Sequence, residues 1–403
     1  MASRVAPDTA QARAEFWQQQ LSAARAAGDV PGQVEALLNL GHVAWREQGS
    51  AAAYAYYEQA LSTAGDRVGP RASALLAMAQ LLISDKQVSH ADTMLQEALH
   101  LCQSLGERTG EASAWLALGD VRHLALDYPA ALECYGRAAE LFLAGGDRLG
   151  AANALLSSGE IHRFLDNYAL AMDCYRRALE LFQAAGDRLG EANTLQGMGE
   201  AYSFQSDPER ALDAYTRALE LFRQAGDPQG EAGAMKAVGD LLQLKGDYAG
   251  AIYAYTSALE LFQAGGSQPG QASTRLALGN ALRARGDLAA ALQAYEQALE
   301  LFGAVQDQLG QANAWLALGD VARAVGDSAR AEAGYLTAFE LYQRLGDAYS
   351  QARVAYRMGD WRREQGDLVE ARRLYTLARE VWLSLGMHEL VEQIITPRLA
   401  RIA

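Results

Sequence analysis

Apolar residues recur at helical spacing along nearly the whole chain, and the pattern returns every forty residues. In one unit Ala131, Tyr135, Ala138 and Phe142 lie four, three and four apart, which puts them on one face of a helix. The alanine recurs at Ala171, Ala211, Ala251, Ala291, Ala331 and Ala371, each followed four residues later by a tyrosine, ending at Tyr375. Twelve residues before each alanine stands a glycine, from Gly119 and Gly159 through Gly319 and Gly359. Ala79 takes that place one unit earlier, and Gly41 takes it after a 38-residue step. The octapeptide at 114–121 returns unchanged at 314–321. Such self-similarity fixes the architecture before any single residue is interpreted.

Each unit divides into two helices. The first is expected from about Glu111 to Ala125. A turn follows, often Gly-Asp, as at Gly246–Asp247, Gly286–Asp287, Gly326–Asp327 and Gly366–Asp367. Glycine ends a helix in the left-handed conformation, and aspartate caps the next helix by accepting its free N–H groups. The second helix carries the Ala-Tyr-Ala-Phe stripe and closes on "GDRLG" or a relative, as at Gly146–Gly150. Gly119 and Ala131 let the paired helices approach, and the tyrosine fills the space beside them. With eight prolines in 403 residues, the expectation is an all-α chain. It comprises a disordered N-terminus (1–9), an unpaired half-repeat helix (10–30), an array of about nine units (31–387) and a capping helix (388–403) interrupted by Pro397.

Trp115, Leu118 and Gly119, then Ala131, Tyr135 and Ala138, resemble the tetratricopeptide signature, W-x₂-L-G followed by A-x₃-F/Y. There are two departures: the tyrosine three residues after the glycine is present only as Tyr202, and the closing proline is missing. The forty-residue period is similar to the subclass found in kinesin light chain, Pins-type adaptors and bacterial Rap-type regulators. The resemblance implies a right-handed superhelical solenoid whose first helices line the concave side. It also implies a non-enzymatic scaffold that captures a protein or peptide segment.

Charge narrows the partners. The balance of 49 acids against 35 bases, formally −14, argues against a nucleic-acid binder, which needs a basic footprint. No run approaches the ~20 apolar residues of a membrane span, and the N-terminus has no secretory pattern. Cys102, Cys134 and Cys174 sit inside helical patterns and read as free thiols of a reducing, cytoplasmic setting, with metal ligation the alternative. No cofactor, metal or catalytic residue is expected. "HELVE" at His388–Glu392 lacks the second histidine of a zinc-protease helix, and "GGDRLG" at Gly145–Gly150 lacks the lysine of a phosphate loop. No serine lies in a nucleophile-elbow context, and the six histidines are scattered.

The residue after each repeat glycine should face the groove: Asp120, Glu160, Glu200, Asp240, Asn280, Asp320 and Asp360, six of these seven being acids. Three positions on stand His123, Arg163, Ser203, Gln243, Arg283, Arg323 and Arg363. Six before the glycine stand Asn153, Asn193 and Asn313 in three units. The expected groove is acidic and polar. One reading treats Glu160–Arg163, Asp320–Arg323 and Asp360–Arg363 as i,i+3 surface pairs that keep the stack soluble, at about 0.2–0.5 kcal/mol each. The other has the acids bind a partner carrying lysine or arginine, with the asparagines pairing to its backbone. Units that depart from the consensus point to a contact patch of Arg163, Phe164, Asn193, Gln196, Glu200, Phe204, Lys236 and Asp240. A chaperone-tail clamp is disfavoured, because its lysine and asparagine places hold mainly leucine and an acid. A ligand-sensing module of a signalling regulator is the alternative, and end-to-end self-assembly a third.

Overall fold

The computed structural model describes residues 9–402, so the segment expected to be disordered lies outside them apart from Thr9, whose hydroxyl caps the first helix. The chain divides into two compact units, one ending at Asp207 and the other beginning at Pro208. The described residues contain no β-strand.

The N-terminal unit opens with α1 (Ala10–Ala27), then the hairpins α2 (Val30–Gln48)/α3 (Ser50–Ala64) and α4 (Val68–Ser84)/α5 (Val88–Leu105). Hairpins α6 (Arg108–Leu124)/α7 (Tyr128–Gly145) and α8 (Arg148–Phe164)/α9 (Tyr168–Ala185) follow, and then α10 (Arg188–Phe204). The C-terminal unit runs from α11 (Pro208–Ala225) through α12 (Pro228–Leu244)/α13 (Tyr248–Ala264) and α14 (Gln268–Arg285)/α15 (Leu288–Ala304). It ends with α16 (Gln308–Ala324)/α17 (Ser328–Leu345), α18 (Ala348–Glu364)/α19 (Leu368–Ser384) and a short tail. Within each unit, first helices pack on first helices: α2 on α4, α6 on α8, α14 on α16. Second helices of successive hairpins make no comparable contact, so the first helices form each unit's inner layer.

The stripe positions are the core. Ala131, Tyr135, Ala138 and Phe142 are buried, as are their counterparts Ala171, Tyr175, Ala178 and Phe182. The half-repeat helix α1 lays Trp17 and Leu21 against Val34 and Leu37 of α2. Capping follows the sequence: the Asp147 carboxylate accepts from the Gly150 N–H at 2.9 Å, and Asp227 and Asp347 cap alike. Asp287 does not cap, because Arg285 draws its carboxylate into an ion pair.

The turn inside the hairpin differs between units. Gly246, Gly286, Gly326 and Gly366 adopt φ of +79°, +98°, +79° and +83° in the C-terminal unit. In the N-terminal unit the same place holds Lys86, Leu126, Asp166 and Ser206 at +58°, +61°, +59° and +59°.

The tail is not one interrupted helix. His388–Leu390 passes into a π-helical turn, Val391–Ile395, and then into a last helix, Thr396–Ala400. Pro397 stands in the first turn of that last helix, where its missing N–H costs nothing; the ladder before it widens instead of breaking. Val391, Ile395 and Ile402 cover Tyr375 and Trp382 of α19.

Candidate functional site

The repeat glycine and the residue after it form one device. A Cβ on Gly119 would lie 2.4 Å from the Tyr135 ring, so only glycine lets that ring lie against the first helix. The hydroxyl then reaches the next residue: Tyr135 donates to Asp120 at 2.7 Å and Tyr175 to Glu160 at 2.7 Å. Tyr255 donates to Asp240 at 2.7 Å, Tyr295 to Asn280 at 2.9 Å, Tyr335 to Asp320 at 3.0 Å and Tyr375 to Asp360 at 2.8 Å. In the first hairpin the Tyr57 hydroxyl lies 2.8 Å from Nδ1 of His42, whose pKa burial and then Arg46 hold below its ordinary value. A neutral imidazole, an amide and a carboxylate all fill the place. What the buried tyrosine needs is an acceptor, and charge is optional. Burial pushes the phenols up, to about 12 for Tyr335 and Tyr375.

In the N-terminal unit, Arg163 spans two first helices, 2.6 Å from Glu160 and 3.1 Å from Glu200. The two carboxylate side chains stay about a third exposed, at 34% and 33%. Burial raises the pKa of Asp120 above its ordinary value, opposed by the Tyr135 bond and by His123. Phe164 and Phe204 are each 64% exposed at the ends of α8 and α10. Phe164 leans on Tyr128 with ring centroids 5.1 Å apart, and Phe204 stacks on Tyr168 at 6.2 Å. Asn153 and Asn193 are exposed, and Gln196 is half-buried.

The C-terminal unit carries the remaining candidates in different surroundings. Lys236 pairs with Asp240 at 2.8 Å, one turn apart on α12, and the Asp240 side chain remains 46% exposed. The i,i+3 pairs expected for Asp320 and Asp360 do not form. Asp320 is taken by Arg357 of the next first helix, and Arg323 turns instead to Glu364 at 3.2 Å. Asp360 is buried, and both of its oxygens receive the tail's Arg398, at 2.8 and 3.0 Å. Packing of the next first helix against α16, and of the tail against α18, brings these partners closer than a residue one turn away. The Asn313 carbonyl accepts from Tyr342 at 2.7 Å and from Arg353 at 3.4 Å. Between α14, α16 and α18 lies a cleft of about 190 Å³ lined by Asn280, Arg283, Asn313 and Arg353, with Leu276 and Leu316.

Sequence reasoning singled out the acids but missed the tyrosines that bond to them. A signal was present, since acid and tyrosine recur together fifteen residues apart. Helical periodicity does not report which side chains of two paired helices meet. It also missed Arg357 and Arg398. Among the described residues no three His, Cys, Asp or Glu side chains are grouped to hold a metal ion, and no helix is long and apolar enough to cross a membrane.

Models of the tetratricopeptide repeat match residues 150–224, 231–304 and 310–384, and a further one matches 34–66. No curated protein matches the chain. Among solved structures, the apo form of the quorum sensor NprR from B. thuringiensis is similar, with TM-score 0.64 and 17% identity. That match covers 88% of this chain and 99% of the other. A Rap protein complexed with competence and sporulation factor has TM-score 0.56 at 18% identity, over 92% and 98% of the two chains. Aspartyl phosphate phosphatase F from Bacillus subtilis has 0.59 at 11%, over 94% and 96%. At these identities the likeness is one of fold. The repeat models span more than half of the sequence, and the chain belongs to the tetratricopeptide repeat family.

Proposed function

We propose that the chain is a non-enzymatic interaction module, cytoplasmic, whose first-helix wall in the N-terminal unit holds a peptide or helix bearing lysine or arginine. The observation that carries this is the state of Glu160: the Tyr175 hydroxyl pins its carboxylate, yet the side chain keeps a third of its surface open to solvent. The tyrosine bond accounts for an acceptor there but not for a charge, because Asn280 serves Tyr295 without one. Glu160 and Glu200 share the single Arg163 guanidinium, so the pair keeps a net negative charge that a cationic partner would offset. Exposed Phe164 and Phe204 supply apolar contact beside them. First helices packed roughly 8–10 Å apart match three residues of extended peptide at ~3.3 Å each.

A second reading is a ligand-sensing regulator. It draws on the end-to-end likeness of fold to a protein described as a quorum sensor and to another bound to a signalling factor. Both readings place a segment in the same wall.

The test is calorimetric titration of an amidated Lys-Ala-Ala-Lys-Ala-Ala-Lys peptide. The expected result is binding that weakens as salt rises. Glu160→Gln combined with Glu200→Gln should weaken it about tenfold or more, the loss of a charge-assisted contact. Glutamine at 160 still accepts the Tyr175 hydroxyl, and an unchanged circular-dichroism melt checks that the fold survives the loss of both Arg163 pairs. Unchanged affinity in the double variant contradicts the proposal.

A further inference from the structure

The half-repeat helix α1 leaves a slot that no other helix of the N-terminal unit leaves. Later second helices pair with a first helix before them, as α3 does with α2 and α7 with α6, whereas among the described residues α1 has only α2 after it. Its side chains differ where such a helix would lie. Fifteen residues before their closing glycines, α5, α7 and α9 bury Ala91, Ala131 and Ala171, and α1 has Arg13 there. Eleven before it they bury Leu95, Tyr135 and Tyr175, and α1 has Trp17. On α2, Asn39 and Arg46 stand two before and five after Gly41, the places from which Arg357 and Glu364 reach back to the preceding first helix. These four side chains, with His42 and Trp45, line a cleft of about 490 Å³. Arg13 stands where close helix approach elsewhere uses a fully buried alanine, so the slot suits something thinner than a helix. Its volume falls within the roughly 300–1,000 Å³ of small-molecule sites.

The polar groups of the slot are donors in search of an acceptor. Among the described residues neither Arg13 nor Arg46 is in an ion pair, and the buried Nε of Arg13 has no partner at all, a rare state for a buried donor. Nδ1 of the neutral His42 ring faces the Tyr57 hydroxyl at 2.8 Å, which leaves its Nε2–H as a further donor. Glu47, the single acid among the described lining residues, is exposed at the rim. The indoles of Trp17 and Trp45 add flat apolar surface. The geometry points to a binding site for a small planar aromatic anion in this slot, its ring against the indoles and its charged group on Arg13 and Arg46. Guanidinium forks suit such a group, and they stack on aromatic faces as well. The site is separate from the Glu160 wall on α8 and selects the opposite charge, so it stands or falls without the peptide reading.

Three small molecules test ring and charge on the full chain. Calorimetric titration should show binding of 2-naphthoate, with the neutral 2-naphthamide and the non-aromatic cyclohexanecarboxylate each weaker by about tenfold or more, the loss of a charged hydrogen bond or of the ring contact. Arg13→Gln should weaken 2-naphthoate by a similar factor, and it breaks no ion pair of the fold. Arg25→Gln, exposed at the far end of α1, should leave binding unchanged. Trp17→Leu should weaken it too; should that variant loosen α1, whose Trp17 packs with Leu21, Val34 and Leu37, Arg13→Gln still decides. No binding at millimolar 2-naphthoate, equal binding of either control compound, or an Arg13→Gln variant of parental affinity overturns the site. Tighter binding of acetyl-Phe-Asp-amide than of 2-naphthoate would give the slot to a peptide segment and overturn the small-molecule assignment.

Discussion

The two units solve the same turn differently. Inside its hairpins the C-terminal unit places glycine at four left-handed positions, whereas the N-terminal unit holds Lys86, Leu126, Asp166 and Ser206 there. An L side chain in that conformation costs roughly 1–2 kcal/mol. The same division appears along the inner wall. In the C-terminal unit the acids of α16 and α18 are neutralised by arginines from the next first helix or the tail. In the N-terminal unit Glu160 and Glu200 share the Arg163 guanidinium, and Asp120 accepts from Tyr135. One repeat sequence thus supports glycine turns inside the hairpins and cross-tied acids on α16 and α18 in one unit. In the other it supports non-glycine left-handed turns with a shared arginine. The division is not complete, since Asp240 of the C-terminal unit stays 46% exposed and Gln306 between its hairpins has φ +57°. Where the second helix carries the tyrosine, stacking calls for the glycine and an acceptor; the α4/α5 hairpin packs Ala79 and Leu95 in those places instead. Everything else at these positions is free to vary.

The comparison can be broken first at its strongest tie. Arg398→Gln leaves the buried Asp360 with Tyr375 alone, and losing one partner of a buried pair costs about 3–5 kcal/mol. Denaturant unfolding should show a loss of that order, confined to the C-terminal unit; a change under 1 kcal/mol would deny that the tail is clasped through this pair. The glycines come next. Gly159→Ala drives a Cβ to 2.6 Å from the buried Tyr175 ring, and should cost about 1–3 kcal/mol through overpacking. Gly319→Ala meets Tyr335 at 3.0 Å and should cost distinctly less in the same unfolding assay.

Much of this was legible in the sequence. The period gave the hairpins, and the Gly-Asp turns gave most of the caps. The partners of the acids were not legible. Asp320 and Arg357 are 37 residues apart, and Asp360 and Arg398 are 38, separations that no single-helix periodicity relates. The expected Asp320–Arg323 pair obeyed the local rule but lost to a guanidinium delivered by a neighbouring helix. The π-helical turn before Pro397 was likewise unreadable, because a proline announces a break without saying how the preceding ladder absorbs it.

Two smaller effects sharpen the contrast. Leu126→Gly should stabilise the N-terminal unit by up to about 1 kcal/mol, since strain relief exceeds the added freedom of the unfolded chain. Calorimetric melting checks it, and a lower midpoint would show that the turn is unstrained. The smallest effect is one of pH. Burial holds the folded pKa of Asp120 above its ordinary 3.8, so folding favours the protonated form. That stabilisation is complete below pH 3.8 and is lost as pH rises through the folded pKa. Asp120→Asn, which retains an acceptor for Tyr135, should therefore gain stability over the parent between acid and neutral pH. A stability difference that does not change with pH would contradict this.

The central claim is that the residue after each repeat glycine must accept a tyrosine hydroxyl but need not be charged. Its most direct test is the unfolding free energy of one variant carrying Asp120→Asn, Glu160→Gln and Glu200→Gln. The account predicts parental stability or better at neutral pH, with the helical content unchanged. A loss of more than about 1 kcal/mol per site, the scale of a net hydrogen bond, would show that the charge itself holds the stack together.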